Sequence, residues 1–144
     1  MDEAGMRAEI GSSVLRFIAG TVLHNQVVAQ RVGLGGSDSQ FVSLLSLYGP
    51  LTPGRLAELT GLTTGSVTGV IDRLEKGGFV RRERDAGDRR KVLVTPVPEG
   101  MARLGEHYRE HGQHLDELLR RRNAAELTVI LEFLTDLNAS PGGR

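Results

Sequence analysis

The chain has 144 residues, no cysteine, and equal numbers of basic and acidic side chains, 18 of each. That length suits one ordinary domain, and the absence of thiols excludes disulfides, cysteine metal sites and thiol redox sensing. An apolar share of 39% can fill a core, which excludes a disordered tail.

The start, Met1-Asp2-Glu3, is acidic and lacks the basic opening and apolar run of a signal peptide. No stretch approaches the ~18 apolar residues of a membrane span. A soluble cytoplasmic protein is therefore expected. The zero net charge hides an asymmetry. Between Leu51 and Thr95 nine basic residues stand against six acidic ones, so the rest of the chain is acidic. A local basic excess is what a phosphate contact needs, although a hairpin kept soluble by arginines has the same composition.

In chain order, Ile10, Val14, Ile18 and Val22 recur at four-residue steps, thickened by Leu15 and Phe17, and predict a first helix. Gly33-Leu34-Gly35-Gly36 stops it. Ser37-Asp38-Ser39-Gln40 has the form of a capping box with Ser37 as cap and Gln40 reaching back. Phe41, Leu44, Leu45 and Tyr48 continue that second helix until Gly49-Pro50. Thr52-Pro53 opens a short third helix, with Leu51 and Leu56 placed for a hydrophobic staple, Leu56 and Leu59 facing inward, and Gly61 as the stop.

Thr63 then caps a fourth helix whose buried stripe is Val67, Val70, Ile71 and Leu74. Gly77-Gly78 ends it, because glycine accepts the left-handed backbone that follows. Phe79 to Arg84 and Lys91 to Thr95 predict two short strands around the turn Asp85-Ala86-Gly87-Asp88. Met101, Leu104, Tyr108, His111, Leu115 and Leu118 form a 3-4 seam on one long helix from Glu99 to Arg122. Asn123-Ala124-Ala125-Glu126 resembles a capping box for a last helix striped by Leu127, Ile130, Leu131, Leu134 and Leu137. The tail from 140 to 144 is expected to fray.

The third and fourth helices, joined tightly at Gly61, have helix-turn-helix spacing. The outward side of the fourth offers Thr64, Gly65, Ser66, Thr68, Gly69, Asp72 and Arg73. Small residues there permit close approach to a duplex, hydroxyls can bond phosphates or base edges, and the helix N-terminus favours phosphate. An ordinary solvent face would use better helix formers. Beside it, Arg84, Arg89 and Arg90 surround a hairpin tip that can enter a minor groove. Arg90 is the expected tip residue, with Asp88 placed to hold its guanidinium.

These residues identify a resemblance to the MarR family of winged-helix regulators. It is carried by Leu51-Thr52-Pro53-Gly54-Arg55-Leu56-Ala57, by the run from Val70-Ile71-Asp72-Arg73-Leu74 through Gly77-Gly78-Phe79-Val80-Arg81-Arg82, and by Asp88-Arg89-Arg90-Lys91-Val92-Leu93-Val94 followed by Gly100. The resemblance implies a mainly α fold with a small β-hairpin wing: a winged helix-turn-helix over residues 37–98, flanked by dimerisation helices over 1–34 and 99–139. It implies a homodimer on a pseudo-palindromic double-stranded DNA operator, a ligand-responsive repressor rather than an enzyme. By position it makes Thr63, Thr64, Ser66, Thr68, Arg73, Arg84, Asp88, Arg89 and Arg90 the DNA-binding set. Pro96-Val97 departs from the family's Leu-Thr at this junction, and Val97 cannot cap by side chain.

A small aromatic or phenolic anion is the effector the resemblance implies, and Phe17, His24, Val28, Phe41 and Tyr48 could line its cleft, though several suit a plain core. His107, His111 and His114 lie within one arc of a helix. A pair of them could share zinc, with His24 and Asp38 as the evident further ligands, or they could simply flank a packed seam; the expectation is that no cofactor is bound. The remaining alternatives are a winged helix that binds protein instead of DNA, against which the hydroxyl-rich face argues, and a hydrolase, against which the missing nucleophile elbow, phosphate loop and HExxH motif argue.

Overall fold

A computed structural model describes residues 1–139, so the expected fraying at 140–144 lies outside the described residues. The chain divides into two units, Met1–Gly105 and the residues from Glu106 onward.

The first unit opens with α1 (Glu3–Val32), capped by Asp2, whose carboxylate accepts the Gly5 N–H at 2.8 Å. Gly33 ends α1 in the left-handed region at φ 74°, where a side chain would be strained. The stripe on its N-terminal two-thirds stays open: Ile10, Ile18 and Val22 are about half exposed and Phe17 is 73% exposed. Only its C-terminal turns join the core, through Val28 and Ala29.

Next come α2 (Gly36–Tyr48), α3 (Pro53–Thr60) and α4 (Thr64–Lys76). The start of α2 differs from the expected one. Gly35, not Ser37, holds the cap position, and the N3 residue is Asp38, whose carboxylate accepts the Gly35 N–H at 3.0 Å. Asp38 wins over Gln40 because its carboxylate has a second partner farther along the chain, described below. Phe41, Val42 and Leu45 of α2, Leu56 of α3 and Val67, Val70, Ile71 and Leu74 of α4 are buried together. Leu59 is a second correction: it is 36% exposed rather than inward. A helix of two turns presents one narrow buried line, Leu56 occupies it, and Leu59 lies about 60° around the axis.

Strands β1 (Val80–Arg84) and β2 (Val92–Pro96) pair antiparallel, with Val80 opposite Pro96 and Arg84 opposite Val92. Leu51 adds an isolated bridge to β2, exchanging backbone hydrogen bonds with Val94 at 3.2 and 2.7 Å. This ties the segment before α3 to the hairpin. The sequence pattern did not mark it, since one residue has no periodicity.

Helix α5 (Pro98–Glu106) leaves the hairpin without a side-chain cap. Val97 serves by backbone alone, its carbonyl accepting the Met101 N–H and its N–H donating to the Phe79 carbonyl, both at 2.9 Å. Gly100 makes this contact feasible. A Cβ there would lie 2.2 Å from the Gly78 carbonyl oxygen, so α5 touches the end of α4 backbone to backbone.

The second unit holds α6 (Arg109–Arg120) and α7 (Ala124–Asn138). The single helix expected from Glu99 to Arg122 is instead interrupted by a turn at His107–Tyr108. Gly105 stands just before the break, and a helical glycine costs about 1 kcal/mol relative to alanine. The 3-4 seam is thereby split: Met101 and Leu104 belong to α5, and Leu115 and Leu118 to α6, where they are exposed. The capping box at α7 is complete, Asn123 accepting from Glu126 N–H and Glu126 from Asn123 N–H, each at 2.9 Å. Leu127, Leu131, Leu134 and Leu137 of α7 remain exposed. Among the described residues no helix is long and apolar enough to cross a membrane.

Candidate nucleic-acid interface

The turn between α3 and α4 is built from hydroxyls. Thr60 Oγ1 donates to the Leu56 carbonyl at 2.6 Å, and Gly61 takes the left-handed conformation at φ 70°. Thr63 caps α4, accepting from the Ser66 N–H at 3.2 Å and donating to Ser66 Oγ at 3.0 Å. These bonds fix the direction of the helix N-terminus. Thr68 Oγ1 donates back to the Thr64 carbonyl at 3.0 Å, so its lone pairs face outward as acceptors.

The outward face of α4 is open as the sequence predicts. Thr63, Thr64, Gly65, Ser66 and Thr68 are exposed, and no atom lies within 4 Å of where a Cβ on Gly65 would stand. Gly69 is half-buried instead of outward, beneath the Arg73 side chain.

Arg73 has a role the sequence reading missed. Its Nε and Nη2 clasp the Asp38 carboxylate, with Nε–Oδ2 at 3.1 Å and Nη2–Oδ1 at 2.9 Å. Asp38 is fully buried, the one buried polar or charged side chain among the described residues. Burial pushes its pKa upward, but the hydrogen bonds from Arg73 and Gly35 and the Arg73 charge outweigh it and hold the carboxyl below its ordinary value. The same hydrogen bonds and charge raise Arg73. The pair thus bolts α4 to the start of α2. Nothing local in the sequence marks a pair 35 residues apart.

A second clamp joins α4 to the hairpin. Arg82 donates to Asp72 at 2.6 Å and to Glu75 at 2.7 Å, while its backbone N–H donates to Glu75 at 3.2 Å. At the far end of α4, Arg103 of α5 donates to the Gly77 carbonyl at 2.9 Å and lies 5.2 Å from the centre of the Phe79 ring.

These clamps sort the basic segment. Arg55, Arg73, Arg81 and Arg82 are paired with carboxylates. Arg84 is spent inside the wing, donating to the Arg89 carbonyl at 2.8 Å. Among the described residues no ion pair engages Arg89, Arg90 or Lys91, and all three are exposed at the hairpin tip. Asp88 holds this tip differently from the expectation: its carboxylate accepts the backbone N–H of Arg90 at 3.0 Å, and its carbonyl accepts the Lys91 N–H at 3.0 Å. A two-residue Asx turn is shorter than any reach to the guanidinium, so Asp88 shapes the loop through the backbone and forms no salt bridge with Arg90.

The five residues considered for an effector cleft differ in exposure. Val28 and Phe41 are core, at 2% and 0% exposure, whereas Phe17 and Tyr48 lie open. His24 is half-buried on α1. His107 sits in the turn and His111 and His114 on α6. Among the described residues no group of three or more His, Cys, Asp or Glu is placed to hold a metal ion.

The model of the MarR family matches residues 37–92. The chain is 40% identical to the HTH-type transcriptional regulator YcgE of Bacillus subtilis, over 79% of this chain and 74% of that protein. It is 32% identical to the multiple antibiotic resistance protein MarR of Salmonella typhimurium, over 67% of this chain and 68% of that one. Among solved structures, Streptococcus pneumoniae FabT in complex with DNA superposes with a TM-score of 0.64 at 20% identity, over 91% of this chain and 94% of FabT, a likeness of fold.

Proposed function

The chain belongs to the MarR family of helix-turn-helix transcriptional regulators, and from that premise we propose that it binds a short pseudo-palindromic DNA duplex as a homodimer and is released from it by a small effector, acting as a repressor. The observation that carries this reading is the pairing of an uncovered, hydroxyl-bearing N-terminal half of α4 with a hairpin tip whose cations have no carboxylate partner among the described residues.

On this reading the first turns of α4 enter the major groove. Thr63, Thr64, Ser66 and Thr68 contact phosphates and base edges there, and the free amides at the helix start favour phosphate. Arg89 and Arg90 reach the adjoining minor groove, where negative potential attracts arginine. Arg84 and Asp88 support that reach by fixing the loop. Arg73 acts mainly through Asp38, setting the angle of α4, with its outer edge left for a phosphate. The exposed apolar stripes of α1 and α7 support a second copy as partner, since such surface in water is unfavourable.

Fluorescence anisotropy with a duplex from upstream of the protein's own gene tests the reading. The expected result is submicromolar binding, tighter than to a scrambled duplex and falling with salt as counterions are released. Equal affinity for both duplexes, or none for either, refutes it.

A further inference from the structure

What a helix can read in a major groove depends on the groups its exposed face has left to offer. Guanine presents two acceptors there, N7 and O6, and its usual partner is an arginine or lysine that meets both, while adenine is met by the amide of Asn or Gln. The exposed positions on the first two turns of α4 are Thr64, Gly65, Ser66 and Thr68, and none carries such a group. The next cation along the helix, Arg73, has the edge bearing Nε and Nη2 closed by Asp38. Turning it toward a base would strand that fully buried carboxylate, a larger loss than one base contact gains. Lys76 is exposed, but it stands about two turns past Thr68.

The hydroxyl protons are committed as well. Thr68 Oγ1 donates to the Thr64 carbonyl at 3.0 Å, and Thr63 Oγ1 donates to Ser66 Oγ at 3.0 Å. The hydroxyls of Thr64 and Ser66 lie on the first turn, beside the amides of the helix start, where phosphate is the favoured partner. What this face retains toward the bases is carbon. A threonine whose hydroxyl bonds back to the helix keeps its methyl in an outer staggered position. Thr64 and Thr68, four residues apart, stand one above the other on the same face. Beside them Gly65, with no atom within 4 Å of where its Cβ would stand, leaves room for a base edge to come close. The C5-methyl of thymine is the apolar group that a major groove displays.

We propose that α4 selects thymine, packing the methyls of Thr64 and Thr68 against C5-methyl groups, and that it makes no bidentate contact with guanine. The inference rests on the regulator reading above and names what the helix reads.

Two analogues of the upstream duplex test it by fluorescence anisotropy. One carries deoxyuridine in place of thymidine, which removes the C5-methyls; the other carries deazaguanine, which lacks N7. Both changes lie in the major groove, so neither alters the groove assigned to the wing tip. The uracil duplex is expected to bind about fourfold more weakly for each methyl that α4 covers, and about tenfold or more over two half-sites, with the deazaguanine duplex within about twofold of the parent. Thr64→Ser/Thr68→Ser keeps both hydroxyls, removes both methyls, and should bind the thymine and uracil duplexes alike, whereas Thr64→Val/Thr68→Val should keep the preference for thymine. Both positions are exposed, so these variants retain the core. Equal native affinity for thymine and uracil, a loss of about tenfold with deazaguanine, or a serine variant with the full thymine preference overturns the proposal and leaves DNA binding, and so the regulator reading, standing. Binding to none of the duplexes removes the regulator reading and this inference with it.

Discussion

Replacing Arg73 with methionine keeps a long unbranched side chain on α4 but removes the charge and donors that hold Asp38. In the native protein the buried carboxylate accepts from Arg73 at 3.1 and 2.9 Å and from the Gly35 N–H at 3.0 Å. In the variant only Gly35 remains. Burial, the largest influence on Asp38 and an upward one, then prevails, and the carboxyl moves from below its ordinary pKa to above it. Leaving a buried carboxylate without its cation costs Asp38 about 3 kcal/mol at neutral pH, the low end of the usual range because the Gly35 bond survives.

The sign of the pH dependence distinguishes this from simple loss of packing. In the native protein the folded pKa is lowered. The stabilisation is complete above the unfolded value of about 3.9 and is lost as pH falls through the folded value. In Arg73→Met the folded pKa is raised, so the penalty is present at neutral pH and is relieved as pH falls toward the unfolded value. Urea unfolding at fixed protein concentration, from pH 7 to pH 4, should show the gap between native and variant closing with acid. The double variant Asp38→Leu/Arg73→Met should recover most of the loss, because an apolar pair replaces an ionic one. A gap that is constant across this range, or a double variant worse than the single, would refute the assignment of Asp38 as the buried partner.

Four further outcomes follow from the geometry. Gly100→Ala places a Cβ 2.2 Å from the Gly78 carbonyl oxygen and should cost about 2 kcal/mol or more in chemical denaturation. Gly105→Ala, with nothing within 4 Å of its Cβ, should be neutral or stabilising in the same assay. Thr63→Ala removes the cap on Ser66 N–H and should lower stability by about 1 kcal/mol, with a larger relative loss of DNA affinity if the α4 start is the reading end. Arg90→Ala should leave unfolding midpoints unchanged, weaken DNA binding on every sequence, and lower the slope of log affinity against log salt by about 1.

Local chemistry was the legible part of this fold. Thr52, Thr63 and Asn123 cap their helices through bonds to residues three positions on, and the buried line Val67, Val70, Ile71 and Leu74 follows helical spacing, so each could be read from a short window. What stayed hidden depends on distant partners. Asp38 looked like part of a Ser37 capping box, because Arg73, which draws it inward, lies far along the chain. Arg73 reads as an outward cation, because Asp38 neutralises it only once α2 and α4 are assembled, and the Arg82 clamp to Asp72 and Glu75 likewise forms only where β1 meets α4. The break at His107–Tyr108 ran against an unbroken apolar seam, since periodicity reports a face and not the continuity of the helix carrying it. For the candidate interface this means that the exposure of its residues was legible and the pairing of its arginines was not.

The most direct test of the reading surface is to follow backbone amide shifts of the labelled protein as the upstream duplex is added. The largest changes are expected from Thr63 to Gly69 and around Arg89, Arg90 and Lys91. Changes centred on α1 or α7, with the start of α4 and the wing tip unmoved, would contradict the account.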